Sequence, residues 1–439
     1  MYMNKQTFTR YLFLILLLAG NLQAQEKLSL EQAVQQALEN NFDIKLNKND
    51  VEQAKNNVSR ANAGMLPIVT GNFSTNNTVS NTKQTLSSGQ TQERNGAKNS
   101  NLVYGPVVNW QVFDGFEMFA RYDRLKELEQ LGEANLKLTI QNTIADVINN
   151  YYDLVSQQKL INALTGALDI SRLRLKNSNS RFKIGKAAKL EVLAASVDLN
   201  TDTTNLLRQI DVYRSTKIRL NELLAREIST EFIVSDTIII GNILLLNELQ
   251  ASASQLNPTL QSALINRRIA EINLKEVKAN RYPNININSG YNINKANSEL
   301  GFARTSNGRG FNYGLTASIN IFNGYLQKRN EKNAFLQIEN SKLQFDKITQ
   351  NITSQITSLY QTYQTNLELV KLEQENLEVA KQNMDITLEK FRLGSVAPLE
   401  FREAQRNYID ANARFTNSQF EAKLAEIALM QLSGKLNLQ

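Results

Sequence analysis

The chain of 439 residues has no cysteine and no histidine. Without cysteine there can be no disulfide, no thiol nucleophile, no thiolate metal site and no lipidated N-terminal cysteine. Any membrane attachment must then come from the fold. Without histidine there is no imidazole metal ligand, no Ser-His-Asp triad and no ordinary proton shuttle near neutrality. A carboxylate enzyme such as a glycosidase remains conceivable, but it needs two acids facing each other across a cleft. The acids here are scattered along helical stretches, mostly near lysines, and no cleft-forming domain is evident. An enzyme is therefore not expected, and neither is a catalytic residue, a cofactor or a bound metal. The net charge of +7 is mild, with basic and acidic residues interspersed, so a nucleic-acid partner is not expected either.

Long apolar runs are also missing. The only one is at the start: Lys5 and Arg10 precede an apolar stretch from Tyr11 to Ala19, and Leu22-Gln23-Ala24 offers a small residue at a cleavage point. Residues 1–24 therefore read as a secretory signal peptide, whose apolar stretch is too short to span a bilayer as a helix. No later segment reads as a transmembrane helix.

What is present is a duplication. Phe113-Asp114-Gly115-Phe116 returns as Phe322-Asn323-Gly324-Tyr325, and Arg181-Phe182-Lys183-Ile184-Gly185 returns as Lys390-Phe391-Arg392-Leu393-Gly394, both 209 positions further on. Asn41-Phe42 lines up with Asn257-Pro258, and Pro67 with Pro283, at 216. The difference falls in the polar stretch between Pro67 and Phe113. Repeats at this scale decide the fold. Repeat one is expected over 25–227 and repeat two over 246–433. Residues 228–245 form a linker in which Ile238-Ile239-Ile240 suggests a short strand or an extended segment. Residues 434–439 are a short tail. Each repeat reads helix, strand, polar loop, strand, long helix, tip, return helix.

The helices are long. Tyr325 to Leu393 contains neither glycine nor proline. Within it Phe345, Ile348, Ile352, Ile356, Leu359, Tyr363, Leu367 and Val370 recur every three or four residues, the mark of one apolar stripe on a helix. Leu136, Ile140, Ile144, Val147, Tyr151 and Leu154 copy the pattern in repeat one. So narrow a stripe on so long a helix belongs to a coiled-coil-like assembly. An elongated soluble bundle or a structural surface protein of the envelope would carry the same helices.

The strands discriminate. Strands are expected at about 68–80, 102–113, 284–294 and 311–322. Ile285, Ile287, Tyr291 and Ile293 alternate with asparagines, and Tyr313, Leu315, Ala317, Ile319 and Ile321 alternate with Gly314, Thr316, Ser318 and Asn320. Such a sheet has one apolar and one polar face. The apolar face could meet another sheet in a sandwich, or lipid in a barrel whose polar face lines water. The stretches Asn81 to Ser100 and Lys295 to Arg309 read as long polar connections. Four strands cannot close a barrel, because single-chain barrels begin at about eight. A membrane sheet of this size would need several chains.

The signal peptide, Leu28-Ser29-Leu30-Glu31-Gln32-Ala33 with Ala37-Leu38-Glu39-Asn40-Asn41, the Phe-Asp/Asn-Gly pair and the two tips together resemble the TolC family of outer-membrane efflux proteins over almost the whole mature chain. The resemblance implies a mainly α fold with a small β part. It also implies a homotrimer with a 12-stranded outer-membrane barrel in lipid, continued by a helical barrel across the periplasm. It implies a passive exit duct for a tripartite pump or a type I secretion system, working with a periplasmic adaptor (membrane fusion) protein and an inner-membrane transporter.

By the residues alone, the tips are helical hairpins. Gly185 and Gly394 suit the left-handed residue that ends a helix, and Pro398 suits the first turn of the next. The resemblance adds that the adaptor docks there, on Gly185, Lys186, Ala187 and Ala188 and on Gly394, Ser395, Val396 and Ala397. It also places Glu400 and Glu403, with Glu191 in repeat one, around a periplasmic aperture. Phe391 and Val396 stand where the family's gate tyrosine and arginine would be. A gate salt bridge of that kind is therefore not expected.

Overall fold

The computed structural model describes residues 26–234, 237–241, 244–299 and 303–436. The expected signal peptide lies outside the described residues. The first pass of the chain is β1 (Glu26–Leu28), α1 (Leu30–Asn40), α2 (Phe42–Asn57), β2 (Ile68–Thr85), β3 (Thr91–Asp114), α3 (Glu117–Lys183) and α4 (Lys189–Leu223). The second is β4 (Phe232–Val234), α5 (Leu246–Leu256), α6 (Pro258–Ala279), β5 (Asn284–Ser298), β6 (Thr305–Ser318), α7 (Leu326–Arg392) and α8 (Pro398–Leu432). The elements repeat one for one. α3 and α7 each have 67 residues, and α4 and α8 each have 35.

The chain divides into two compact units. A helical unit comprises the described parts of Met1–Lys48, Leu136–Leu260 and Thr349–Gln439. A sheet unit comprises the described parts of Asn49–Asn135 and Gln261–Ile348.

In the helical unit β1 and β4 pair in parallel, Glu26 opposite Phe232 and Leu28 opposite Val234. The expected linker strand therefore sits at Phe232–Val234, and Ile238–Ile240 form no strand. Phe232 and Val234 bury their side chains, and Ile238 joins the same core without a ladder partner. Around the strand pair lie Ile144, Val147, Tyr151 and Leu154 of the α3 stripe, with Leu220 of α4 and Ile427 of α8. The Tyr151 hydroxyl donates to the Leu28 carbonyl at 2.9 Å, so the phenol is buried without an unpaired polar end. Ser29 begins α1 with a capping box, its hydroxyl accepting from Gln32 N and its own N–H donating to the Gln32 side chain.

The aligned asparagines do the same job twice. Asn41 ends α1; its Oδ1 accepts from Asp43 N and Ile44 N at 2.9 and 3.2 Å, and its Nδ2 donates to the Leu223 carbonyl at 3.0 Å. Asn257 ends α5; its Oδ1 accepts from Thr259 N and Leu260 N at 2.9 and 3.2 Å, and its Nδ2 donates to the Leu432 carbonyl at 2.9 Å. Each side chain caps the next helix and ties it to the end of α4 or α8. That explains why Asn returns at this position.

In the sheet unit the strands run in the order β2-β3-β5-β6, each antiparallel to the next, so the two repeats meet at the β3–β5 ladder. Antiparallel partners share a face. Trp110, Ile287 and Leu315 stand in one row, and Phe73, Tyr104 and Ile293 in another. The opposite face carries Asn286 against Gln111 and Thr316, and Asn288 against Asn109 and Gly314. β2 and β6 are the edges, and both are exposed along nearly their whole length.

Two strand limits differ from expectation. Asn81 to Ser100 is mostly ladder: Thr82 pairs with Arg94, Lys83 with Glu93, and only about Leu86 to Gln90 turns. Lys295 to Arg309 likewise continues the β5–β6 ladder on both sides of its turn. Polar side chains on both faces hide the alternation, while backbone pairing carries the strands on. At the other end β6 stops at Ser318, paired with Asn284, so Ile319 and Ile321 lie beyond the strand. The residue before Asn284 is Pro283, which has no N–H to extend the ladder.

Between sheet and helices, Gly115 and Phe116 both take positive φ (73° and 72°), as do Gly324 and Tyr325 (63° and 64°). A Cβ at Gly115 would lie 2.2 Å from the Ala279 carbonyl oxygen, so only glycine fits there. Phe113 and Tyr282 pack edge-on against Phe116 and hold its unusual backbone in place.

Candidate functional site at the hairpin tips

Both tips close by the same hydrogen bonds. Gly185 N donates to Phe182 O at 3.0 Å and Lys186 N to Arg181 O at 2.8 Å; Gly394 N donates to Phe391 O at 3.0 Å and Ser395 N to Lys390 O at 2.9 Å. With φ of 72° and 74°, the two glycines form the Schellman closure that ends a helix. A Cβ on either would meet nothing within 4 Å. Glycine is needed there for its backbone conformation, and the space outside is open. Lys186, Ala188, Ser395 and Ala397 are exposed, while Ala187 and Val396 are half-buried. Pro398 opens α8, and neither α4 nor α8 has a side-chain N-cap.

The expected aperture residues separate. Glu400 is exposed in the first turn of α8, where a carboxylate complements the helix dipole. Glu403 is exposed and pairs with Arg406 at 2.9 Å. Glu191 accepts from the Ser178 hydroxyl at 3.3 Å and meets Arg181 at 3.4 Å, so it is held within its own hairpin. Phe391 is buried, its ring stacked on Phe401 at 5.0 Å and 13°. An aromatic ring in that position packs against another ring in preference to water.

A charged cluster lies between the hairpins. The Arg402 Nη1 of α8 donates to the Asp202 carboxylate of α4 at 2.8 Å, and its Nη2 reaches the same group at 3.1 Å. Arg402 Nε lies 3.5 Å from Asp198. Arg174 of α3, almost wholly buried, also pairs with Asp198. Ser171 donates to Asp202 at 2.5 Å, and the fully buried Gln405 donates to Ala167 O and Ser171 Oγ at 2.8 and 3.2 Å. Burial, with the charge of Arg402 adding to it, lowers the Arg174 pKa to about 10. So a bridge between the hairpins exists after all, away from Phe391 and Val396. Sequence reasoning missed it because its partners lie about 200 residues apart. One signal was there: Ser171, Arg174 and Ser178 put polar side chains at the core spacing of a helix.

Among the described residues no helix is long and apolar enough to cross a membrane, which says nothing of a β-barrel. A sequence profile of the outer membrane efflux proteins matches residues 33–226 and 249–435, one segment in each repeat. The chain belongs to the outer membrane efflux protein family. Its family is one of transport proteins rather than enzymes, and its place is the outer membrane. The chain is 19% identical to the outer membrane protein TolC of Vibrio cholerae over 323 residues, 72% of this chain and 73% of that protein. Its fold matches the Campylobacter jejuni CmeC outer membrane channel with a TM-score of 0.78 at 16% identity, over 92% of this chain and 85% of CmeC. It matches the outer-membrane channel OprN with a TM-score of 0.76 at 15% identity, over 92% and 90% of the two chains. The duplicated, mainly helical fold with its small sheet is thus the fold of known efflux channels.

Proposed function

We propose that this efflux protein is one third of a passive duct: a homotrimer whose 12-stranded barrel spans the outer membrane and whose helices continue the bore through the periplasm. One observation carries the reading. The four-stranded sheet has an apolar face and two long exposed edges, and in lipid an unpaired strand edge leaves backbone groups without partners. β2 and β6 of adjacent copies would pair and remove those edges. The helices support this. Leu372, Val379 and Ile386 recur every seventh residue on α7 and are exposed, as are Leu190, Leu193 and Val197 on α4. These are coiled-coil seams awaiting helices of another copy.

In this reading the tips around Gly185 and Gly394 receive the periplasmic adaptor. Glu400 and Glu403 from three copies ring the mouth and favour cations. The Arg402 bridge to Asp198 and Asp202 holds the hairpins together in the closed mouth. An inner-membrane transporter supplies the energy and selects the cargo, in a tripartite pump or a type I secretion system. Reconstitution into planar bilayers tests the duct. Stepwise conductance that loses cation preference in the E400Q/E403Q double variant is expected. A protein that never conducts, even with the bridge removed, would contradict it.

A further inference from the structure

On the apolar face of the sheet β6 runs Leu315, Tyr313, Phe311 and then Arg309, and β5 runs Ile287, Tyr291, Ile293 and then Lys295. The change from apolar to cationic comes at one level on both strands, because Ile293 pairs with Arg309 and Lys295 with Asn307. Lys295 and Arg309 are therefore diagonal neighbours on one face, about 7–8 Å apart along the backbone. Both are exposed, and neither has an ion pair among the described residues. Aromatic rings lie just below them: Tyr291 pairs with Phe311, whose ring meets Tyr313 at 5.9 Å. A row of aromatics followed by cations marks the rim of a lipid-facing band. This rim is the one nearer the β5–β6 turn, away from the strand ends that lead into α6 and α7.

The acids of the sheet do not neutralise this pair. β2, β5 and β6 contain none. On β3, Glu93 is paired with Lys83, and Asp114 is buried at the opposite end of the strand. Glu299 accepts from Lys98 N and stands four residues beyond Lys295, about 13 Å along an extended chain. Pairing of β6 with β2 of another copy would use backbone groups and bring no acid. We propose that Lys295 and Arg309 bind the phosphate of an anionic lipid in the outer leaflet, whose acyl chains lie on Tyr291, Ile293 and Phe311. The guanidinium grips phosphate oxygens in pairs and the ammonium adds a point charge. The apolar side chains below distinguish a lipid from free phosphate, which would gain nothing from them. The inference rests on the duct reading, which turns this face to lipid.

The test is electron spin resonance of the full-length protein in phosphatidylcholine vesicles, with trace phosphatidylglycerol or phosphatidylcholine spin-labelled on an acyl chain. Lipid held against the protein gives a motionally restricted signal. Phosphatidylglycerol is expected to enter that shell with a preference of about fivefold over phosphatidylcholine, and 0.5 M salt, about the range that screens exposed charges, should weaken the preference. K295Q/R309Q, at two exposed positions, should bring the two lipids to parity while the total restricted signal stays the same. No preference in the wild type, or a preference unchanged in the double variant, would overturn the site. A protein that restricts no lipid at all would overturn the duct reading, and the site with it.

Discussion

The two repeats match in frame and differ in charge. Helix lengths are equal, the tip closures are equal, and Asn41 and Asn257 make corresponding hydrogen bonds at nearly equal distances. Yet the tip cluster is one-sided. Asp198 and Asp202 of α4 correspond to Asn407 and Ala411 in α8, and Arg402 corresponds to Leu193 in α4. The acids come only from repeat one, and Arg402 only from repeat two. A duplicated scaffold thus holds two hairpins in equivalent geometry. Unequal charges then give each hairpin something to hold in the other.

The largest effect should come from breaking that complementarity. R402A leaves Asp202 buried beside Arg174 without its bidentate partner, at a cost of about 3 kcal/mol or more. Hydrogen exchange at the ends of α4 and α8 should rise and single-channel conductance should increase. Cross-pairing restored by a D202R/R402D exchange should return both towards wild type. If R402A behaved like the wild type, the bridge would have no gating role.

Next come the caps. N41A and N257A each remove a buried side chain that satisfies two amides and one carbonyl, so each should cost about 1–2 kcal/mol. Equal losses in thermal unfolding would sharpen the equivalence of the repeats, and clearly unequal ones would break it. At the tip, G394V places a β-branched residue in the left-handed region at about 1–2 kcal/mol. Nothing nearby clashes, so the oligomer should survive while export falls. Export at the wild-type level would remove the adaptor from this tip.

A smaller difference lies at the ends of α4 and α8. Ala225 holds φ of 50° where its counterpart Gly434 holds 72°. A225G should stabilise by up to about 1 kcal/mol by relieving the left-handed strain. G434A should destabilise, because its Cβ would meet the Leu256 backbone at 2.7 Å. The smallest effect is in pH. Burial raises the pKa of Asp153, despite opposing hydrogen bonds from Gln157 and Thr216. Thr362 occupies the matching place in repeat two. A raised carboxyl pKa favours the folded state when protonated. Stability from this group is therefore full below the unfolded value and is lost as pH rises through the folded one. D153N should flatten that slope in urea titrations across the acidic range; an unchanged slope would exclude the assignment.

The frame was legible because its signals are local. Glycines at tips and turns, the Asn41/Asn257 pair and the 3.6-residue stripe each constrain a few neighbouring residues. The strand ends were less so, since Asn81 to Ser100 pairs through backbone groups that polar side chains do not announce. The stacking of Phe391 on Phe401 was not legible, because the two rings meet only across the tip turn. The charged cluster was missed because Arg402 and Asp202 meet only once the two repeats are folded together.

If the sheet is a fragment of a wall that other copies finish, the protein leaves the membrane as an assembly. Native mass spectrometry of the detergent-extracted full-length protein distinguishes assembly from single chain. A mass of three chains that survives dilution is expected. A single chain, stable and soluble without detergent, would contradict it.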